Sequence, residues 1–316
     1  MELRHLRYFL AVGEALNFTK AAAQLRVAQP ALSRQMQDLE DEIGVDLLRR
    51  SPRGVTLTAE GKLFLEEVRE LLKRADESVE KVRALARGEY GELPIGYAPS
   101  PTVEILPPAL AAFQKAVPRV KVLLHDLSSD ELIAGLRKGT LELAVTVQPT
   151  GDQTAGIEFE VLRTYPLYVA LTAAHPFARL KSITLEELAA EPLVAFRRKD
   201  YPESYDNLNR IFATIQAKPR IAMECDSASS LITEVEAGRG IALSTTIFKL
   251  VTGTRLLYRP LTGTTEALSV GIARATKGDV TPAGEKFCEL LRKISNGATG
   301  SKPTPAKNLV KPSPPR

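Results

Sequence analysis

The chain is poor in the residues that most often carry catalysis and metal binding. Of its 316 residues three are histidine (His5, His125, His175) and two are cysteine (Cys225, Cys288). The cysteines lie far apart, with neither pairing nor metal-ligand spacing, which fits a reducing cytoplasm. No histidine has a triad-like or ligand-like neighbour, and no G-x-S-x-G, Walker or G-x-G-x-x-G pattern occurs. An enzyme, the main rival class, therefore shows no recognisable catalytic motif, and no metal or cofactor is expected. No run of about 18 apolar residues exists, so no membrane partner is expected. The opening MELRHLRYFLAV breaks its short apolar stretch with charges and is followed by no small-residue cleavage site. That argues against a secretory signal, and with it against an exported solute-binding protein.

An excess of positive charge is also missing from the body of the chain. The net charge of +4 is carried after Ser295, where Lys302, Lys307, Lys311 and Arg316 meet no acid. The remaining 38 basic residues balance 38 acidic ones. Binding to nucleic acid must be argued from local pattern rather than from composition.

What is present is an ordinary globular composition, 44% hydrophobic and 25% charged, in a chain long enough for two or three domains. Leu6, Phe9, Leu10 and Gly13 mark one face of a first helix ending near Leu16. Asn17 is a suitable N-cap for a second, in which Phe18, Ala21, Ala22 and Leu25 recur at helical spacing. Two adjacent alanines let another helix approach closely. Arg26-Val27-Ala28 is a tight connection, and Pro30 suits the first turn of a third helix, whose stripe is Leu32, Met36, Leu39 and Ile43 and whose stop is Gly44. Two short helices joined by a three-residue turn make a helix-turn-helix, which places the N-terminal part of its second helix in the DNA major groove. The residues presented there are Gln29, Pro30, Ser33, Arg34 and Gln37. Arg34 suits a guanine edge and Gln29 an adenine edge.

Local charge agrees. Residues 1–37 hold five basic and two acidic side chains, 38–46 five acidic and none basic, and 47–57 three basic and none acidic. The last of these segments reads as two short strands around a Pro-Arg-Gly turn, a wing with Arg53 at its tip, within reach of a minor groove.

The stretch from Leu3 to Gly61 resembles the N-terminal signature of the LysR-type transcriptional regulators. The resemblance rests on F-T-K-A-A-x-x-L, V-A-Q-P-A-L-S-R-Q, L-E-x-E-I-G, L-L-R-R and L-T-x-x-G. MELRHLRYF and the linker resemble the branch that senses aromatic-catabolism intermediates. The resemblance implies that Gln29, Pro30, Ser33, Arg34 and Arg53 meet bases or groove, and that Asn17, Thr19, Lys20 and Arg50 meet phosphates of double-stranded DNA.

Thr58 caps a long helix with Glu60 in its first turn. Phe64, Val68, Leu71, Ala75, Val79, Val82 and Leu85 or Ala86 recur at alternating spacings of three and four, the seam of a two-helix pair. A homodimer through this helix is expected, and family resemblance extends it to a homotetramer. A helix lying on its own domain is the alternative, and an architectural DNA binder without a ligand is the alternative for the whole chain.

From Leu93 onward short β-rich runs alternate with helices, which predicts parallel strands with right-handed crossovers. Strands are expected at Leu93–Tyr97, Val120–Leu124, Leu141–Val147, Leu167–Leu171, Leu193–Phe196, Arg220–Glu224 and Leu268–Ala273. Helices are expected from Pro107-Pro108, over Ser129–Lys138 with a Ser128/Glu131 capping box, from Thr184 with Glu187, over Tyr205–Gln216, over Ala228–Ala237 and from Thr281-Pro282. Two α/β lobes, about 92–162 plus 265–295 and 163–264, resemble the periplasmic-binding-protein architecture of this family's effector domains. The predicted organisation is thus α+β multidomain: winged helix-turn-helix 1–58, linker helix 59–87, two-lobed effector-binding domain 88–295 and a disordered basic tail 296–316.

Ligands in open α/β sheets bind beyond the carboxyl ends of strands, at helix N-termini. That rule selects Ser100, Thr102, Ser128 and Ser227, with Phe196 and the Arg197-Arg198 pair ending a further strand. Hydroxyls and free amides at such ends suit a carboxylate, so a small organic anion is the expected effector. By resemblance Ser100 and Ser128 hold that carboxylate, while Tyr201 and Pro202 form a cleft wall. Ser128 and Ser227 are equally explained as helix caps, and Arg197-Arg198 as a solvated loop.

Overall fold

The computed structural model describes residues 1–51 and 54–297. The wing tip with Arg53, and the tail from 298 to 316, lie outside the described residues. The chain divides into two compact units, Met1–Ala86 and the rest.

The first unit runs α1 (Leu3–Ala15), α2 (Phe18–Leu25), α3 (Gln29–Ile43), β1 (Leu48–Ser51), β2 (Gly54–Leu57) and α4 (Ala59–Ala86). Asn17 Oδ1 accepts from the Lys20 amide at 3.0 Å and starts α2. Left-handed Arg26 and Gly44 end α2 and α3. Phe9, Val12, Ala21, Leu32, Met36 and Leu39 are buried together. Each fully buried Leu, Met or Phe side chain there stabilises the unit by about 1.5–3 kcal/mol. The Glu40 carboxylate accepts from the amides of Leu47 and Leu48, both at 2.8 Å, which ties the end of α3 to the wing. Thr58 Oγ1 donates to the Asp46 carbonyl and accepts from the Gly61 amide, each at 2.8 Å. The first turn of α4 consequently lies against Leu47, where a Cβ on Gly61 would stand 2.0 Å from the Leu47 carbonyl oxygen. The glycine of L-T-x-x-G is a close-approach residue.

The long helix corrects the expected seam. Val68 belongs to the first unit's own core, with Leu65 and Leu72, and the Phe64 ring lies 5.2 Å from that of Phe9. The apolar residues that α4 leaves exposed are Leu63, Leu71, Val79, Val82 and Leu85. A heptad pattern cannot distinguish the two sets, because helix α1 covers one turn of the stripe and not the next.

The second unit contains β3 (Gly91–Tyr97), α5 (Leu106–Ala116), β4 (Val120–Asp126), α6 (Ser129–Lys138), β5 (Leu143–Val147), β6 (Ile157–Pro166) and β7 (Tyr168–Leu171). It continues with α7 (Leu185–Ala190), β8 (Leu193–Phe196), α8 (Pro202–Ala213), β9 (Ile221–Cys225), α9 (Ala228–Glu236) and β10 (Ala242–Ser244). It closes with α10 (Lys249–Thr252), β11 (Leu257–Pro260), β12 (Ala267–Ala275) and α11 (Pro282–Gly297). Helix α11 thus runs two residues into the segment that the sequence assigns to the tail.

One lobe is a five-stranded sheet in the order β4-β3-β5-β12-β6, parallel through β4, β3 and β5 and antiparallel at β12 and β6. The other holds an antiparallel sheet, β10-β7-β11, beside the parallel pair β8-β9. Several features depart from the sequence expectation, beginning with the antiparallel β12 and β6. Strand β6, which the sequence expectation lacks, is ten residues long and, among the described residues, pairs with β12 at the sheet edge. The crossing between lobes therefore falls at Pro166-Leu167 rather than at residue 163. Strands β10 and β11 flank β7 antiparallel, although each returns to it only after the helices α7, α8 and α9 have intervened. Helix α8 also starts three residues earlier than its expected Tyr205.

Candidate functional site

Two surfaces carry the chemistry. On the first unit, burial of Leu32, Met36 and Leu39 turns the opposite face of α3 outward. Gln29, Pro30, Arg34 and Gln37 are exposed there, and Ser33 is half-buried. Thr19 and Lys20 are exposed at the start of α2. Arg50, expected at a phosphate, is engaged within the unit. Its Nη1 donates to Ser33 Oγ at 2.8 Å, and its guanidinium lies 5.1 Å over the Phe18 ring. Glu40 stands 4.0 Å from it. Arg50 thus braces the wing strand against α3, and Asn17 is likewise occupied as a cap.

On the second unit a cavity of about 550 Å³ opens beyond the carboxyl ends of the strands, within the range of small-molecule sites. Ala98 to Pro101 after β3, Asp126 at the end of β4 and Gln148 after β5 line it from the five-stranded lobe. Phe196 at the end of β8, and the first turns of α8 and α9, line it from the other. The polarity of this wall follows from topology: strand ends and helix starts meet at one edge.

Of the expected effector residues, Ser100, Phe196, Tyr201 and Ser227 line the cavity. Five do not. Thr102 is buried, with its hydroxyl donating to the Ala98 carbonyl at 2.6 Å. The Ser128 hydroxyl is held in its capping box with Glu131. Arg197 pairs with Asp200 at 3.3 Å, and Arg198 lies over the Tyr205 ring. Pro202 forms the first position of α8, and of its neighbours the expected Tyr201 and the unexpected Glu203 line the cavity.

Sequence reasoning missed the most unusual group. Glu203 is 95% buried on the wall, its relative exposure being 5%. Its Oε1 accepts from the hydroxyl of Ser129, at the start of α6 on the other lobe, at 2.7 Å. Its Oε2 has no partner among the described residues. Burial pushes its carboxyl up to about 7, with Asp206 and Asp130 adding to the rise against the Ser129 hydrogen bond and its own backbone amide. Asn207, one turn along α8, and Thr245 also line the cavity with a buried oxygen unpartnered. The Tyr201 phenol, its ring 4.5 Å from that of Phe196 and tilted 39° to it, is pushed up to about 12, again mainly by burial. Arg210, the one basic side chain on the wall among the described residues, stands 3.6 Å from Glu266. Nothing in the local sequence marks Glu203, since an acid in a first helical turn is commonplace.

Further contacts join the lobes beside this wall. The Asp130 amide donates to the Asp200 carbonyl at 3.1 Å, and the Thr150 hydroxyl donates to Asp206 at 2.7 Å. Among the described residues no group of His, Cys, Asp and Glu has metal-site geometry, and no helix is long and apolar enough to cross a membrane.

Comparison with known proteins adds the following. Residues 3–62 match the family described as bacterial regulatory helix-turn-helix protein, lysR family, and residues 86–295 match the LysR substrate binding domain. The chain is 36% identical over 261 residues to the HTH-type transcriptional regulator AlsR of Bacillus subtilis (strain 168), covering 83% of this chain and 86% of AlsR. The crystal structure of CbnR, a LysR family transcriptional regulator, superposes with a TM-score of 0.76 at 33% identity, over 92% of this chain and all of CbnR. Full-length CbnR complexed with its target DNA gives a TM-score of 0.77 at 32% identity, over 93% of this chain and 100% of that one.

Proposed function

The chain belongs to the LysR family of DNA-binding transcriptional regulators with an effector-binding domain, and from that premise we propose how its own residues divide the work. Gln29, Pro30, Ser33, Arg34 and Gln37 read base edges from the exposed face of α3. Lys20 and Thr19 contact phosphates, joined by Asn17 and by Arg53 in the groove beside them. Arg50 positions the wing and α3 together, and any phosphate contact it makes is made from that braced position. The reading is supported by a polar ridge standing opposite an apolar stripe on a helix that the turn and wing hold at both ends. A second copy of the chain covers the exposed apolar residues of α4, Leu71, Val79, Val82 and Leu85, so that two recognition helices meet a two-fold site. Such dimers pair into a tetramer, and the protein works in the cytoplasm.

The effector-binding site is the 550 Å³ cavity, and the observation that carries this reading is its place beyond the strand ends of both lobes at once. The effector is a small organic acid. Its carboxylate is received by Ser100 and by the first turn of α9 at Ser227, where free amides and the helix dipole favour negative charge. An occupant touching both lobes favours one lobe angle over another, and so shifts the DNA-bound state. Selection of bound duplexes from genomic fragments, with and without aromatic and aliphatic acids, tests the whole reading. The expected result is an enriched two-fold sequence whose occupancy or bending responds to one class of acid, and which ceases to respond in Ser100→Ala. Enrichment of no sequence would overturn the assignment of the α3 face.

A further inference from the structure

The cavity has two kinds of wall. One offers donors: Ser100, and the first turn of α9. The other, along α8, offers acceptors. Glu203 and Asn207 lie four residues apart and so share one face of the helix. Both are more than nine-tenths buried, both line the cavity, and Glu203 Oε2 and Asn207 Oδ1 have no partner among the described residues. We propose that this face of α8 receives a hydrogen-bond donor of the effector, a hydroxyl or an amino group, so that the effector is a small acid bearing such a donor rather than one ending in bare hydrocarbon.

The inference rests on the cavity being the effector site. Buried oxygens in native proteins have donors. Within the chain, Glu203 Oε1 has the Ser129 hydroxyl and the carboxyl also feels its own backbone amide, while Oε2 has no partner among the described residues. A phenyl or alkyl end pressed against α8 would leave Oε2, already shut from solvent, without a donor. Charge points the same way. Asp126, Glu203 and Glu266 face the cavity against Arg210, which already stands by Glu266. Asp130 and Asp206 lie close enough to act on Glu203. A carboxylate is therefore repelled from α8 and directed to Ser100 and α9, while a hydroxyl or ammonium is drawn to α8. Because Glu203 also holds Ser129 of the opposite lobe, a donor arriving at Oε2 binds at a residue that links the two lobes.

The test is calorimetry on the full chain with two matched sets: benzoate, 4-hydroxybenzoate and 4-(aminomethyl)benzoate, and butyrate, 4-hydroxybutyrate and 4-aminobutyrate. In at least one set a donor-bearing acid should bind tenfold or more tighter than its parent. That ratio should fall to near one in Glu203→Leu. Glu203→Gln should keep a preference for the hydroxyl but lose one for the ammonium, which distinguishes the two donors. Equal binding of parent and donor-bearing acids to the wild type, or a preference that survives Glu203→Leu, would overturn the inference. Ile232→Trp, which fills the cavity, separates this failure from that of the site itself. If the acids bind and Ile232→Trp leaves them bound, the cavity is not the effector site. If it abolishes binding while the ratio is one, only the donor is wrong. Binding of none of the six acids counts against both.

Discussion

Replacing Glu203 by glutamine should change how the stability of the effector-binding domain depends on pH, and the size of the change follows from the cavity wall. A glutamate ordinarily titrates at 4.5, and Glu203 in the folded protein titrates at about 7. Between those values the folded state holds a proton that the unfolded chain has released. Stability is therefore fully present below pH 4.5, falls as pH rises through the window, and levels off above about 7. At about 1.4 kcal/mol per pH unit, the loss across the window is about 3 kcal/mol. Glutamine has no such proton and can still accept from Ser129. The groups acting on Glu203, namely Asp130 of α6 and Asp206 of its own helix, remain in both proteins, as do Asp126, Tyr201, Arg210 and Glu266 on the same wall. Asp126, whose carboxyl burial also raises, titrates in both and cancels in the difference. Thermal melts of wild type and Glu203→Gln from pH 5 to pH 8 should diverge. The variant should be equal or slightly weaker at pH 5 and more stable by about 3 kcal/mol at pH 8, roughly 6–12 °C for a domain of about 200 residues. Parallel curves would refute the claim that Glu203 is buried without a counter-charge.

Three further outcomes are expected. Gly61→Ala would gain helix propensity worth about 1 kcal/mol in isolation, yet should destabilise the first unit by a further net 1–3 kcal/mol because its Cβ would stand 2.0 Å from the Leu47 carbonyl oxygen; a raised melting temperature would contradict the close approach. Val82→Glu with Leu85→Glu should leave the fold intact but yield smaller species in sedimentation, whereas Val68→Glu should unfold the first unit by burying a charge at a position with 0% exposure. An unchanged mass for the double variant would remove the partner helix. Arg34→Ala should weaken the specific site by about 1–3 kcal/mol while sparing random duplexes, and Lys20→Ala should weaken both and flatten the salt dependence; a filter-binding titration at several salt concentrations separates the two, and equal losses for Arg34→Ala would end its role in base reading.

Features that depend on neighbours a few residues apart can be read directly from the order of the residues. Asn17 capping α2, Gly44 ending α3, and the boxes of Ser128 with Glu131 and Thr184 with Glu187 all form within one turn, and each was legible. So was the outward face of α3, because the period of Leu32, Met36 and Leu39 fixes what lies opposite. Tertiary structure decided the rest. The alternation I-E-F-E-V marks Ile157–Pro166 locally as a strand, but its pairing with Ala267–Ala275, about a hundred residues away, is set only by the folded chain. Val68 and Val82 occupy similar places in one heptad pattern, and only the packing of α1 buries the first and leaves the second exposed. Thr102 and Ser128 look as suitable for a ligand as Ser100 does, until their hydroxyls are seen bonded to Ala98 and Glu131. Glu203 was the least visible of all. Its type and its place in a first helical turn are ordinary, and what sets it apart is that α6 of the other lobe closes over it. Burial and the company of other charges are properties of the folded chain, and they alone raise a common glutamate to about 7.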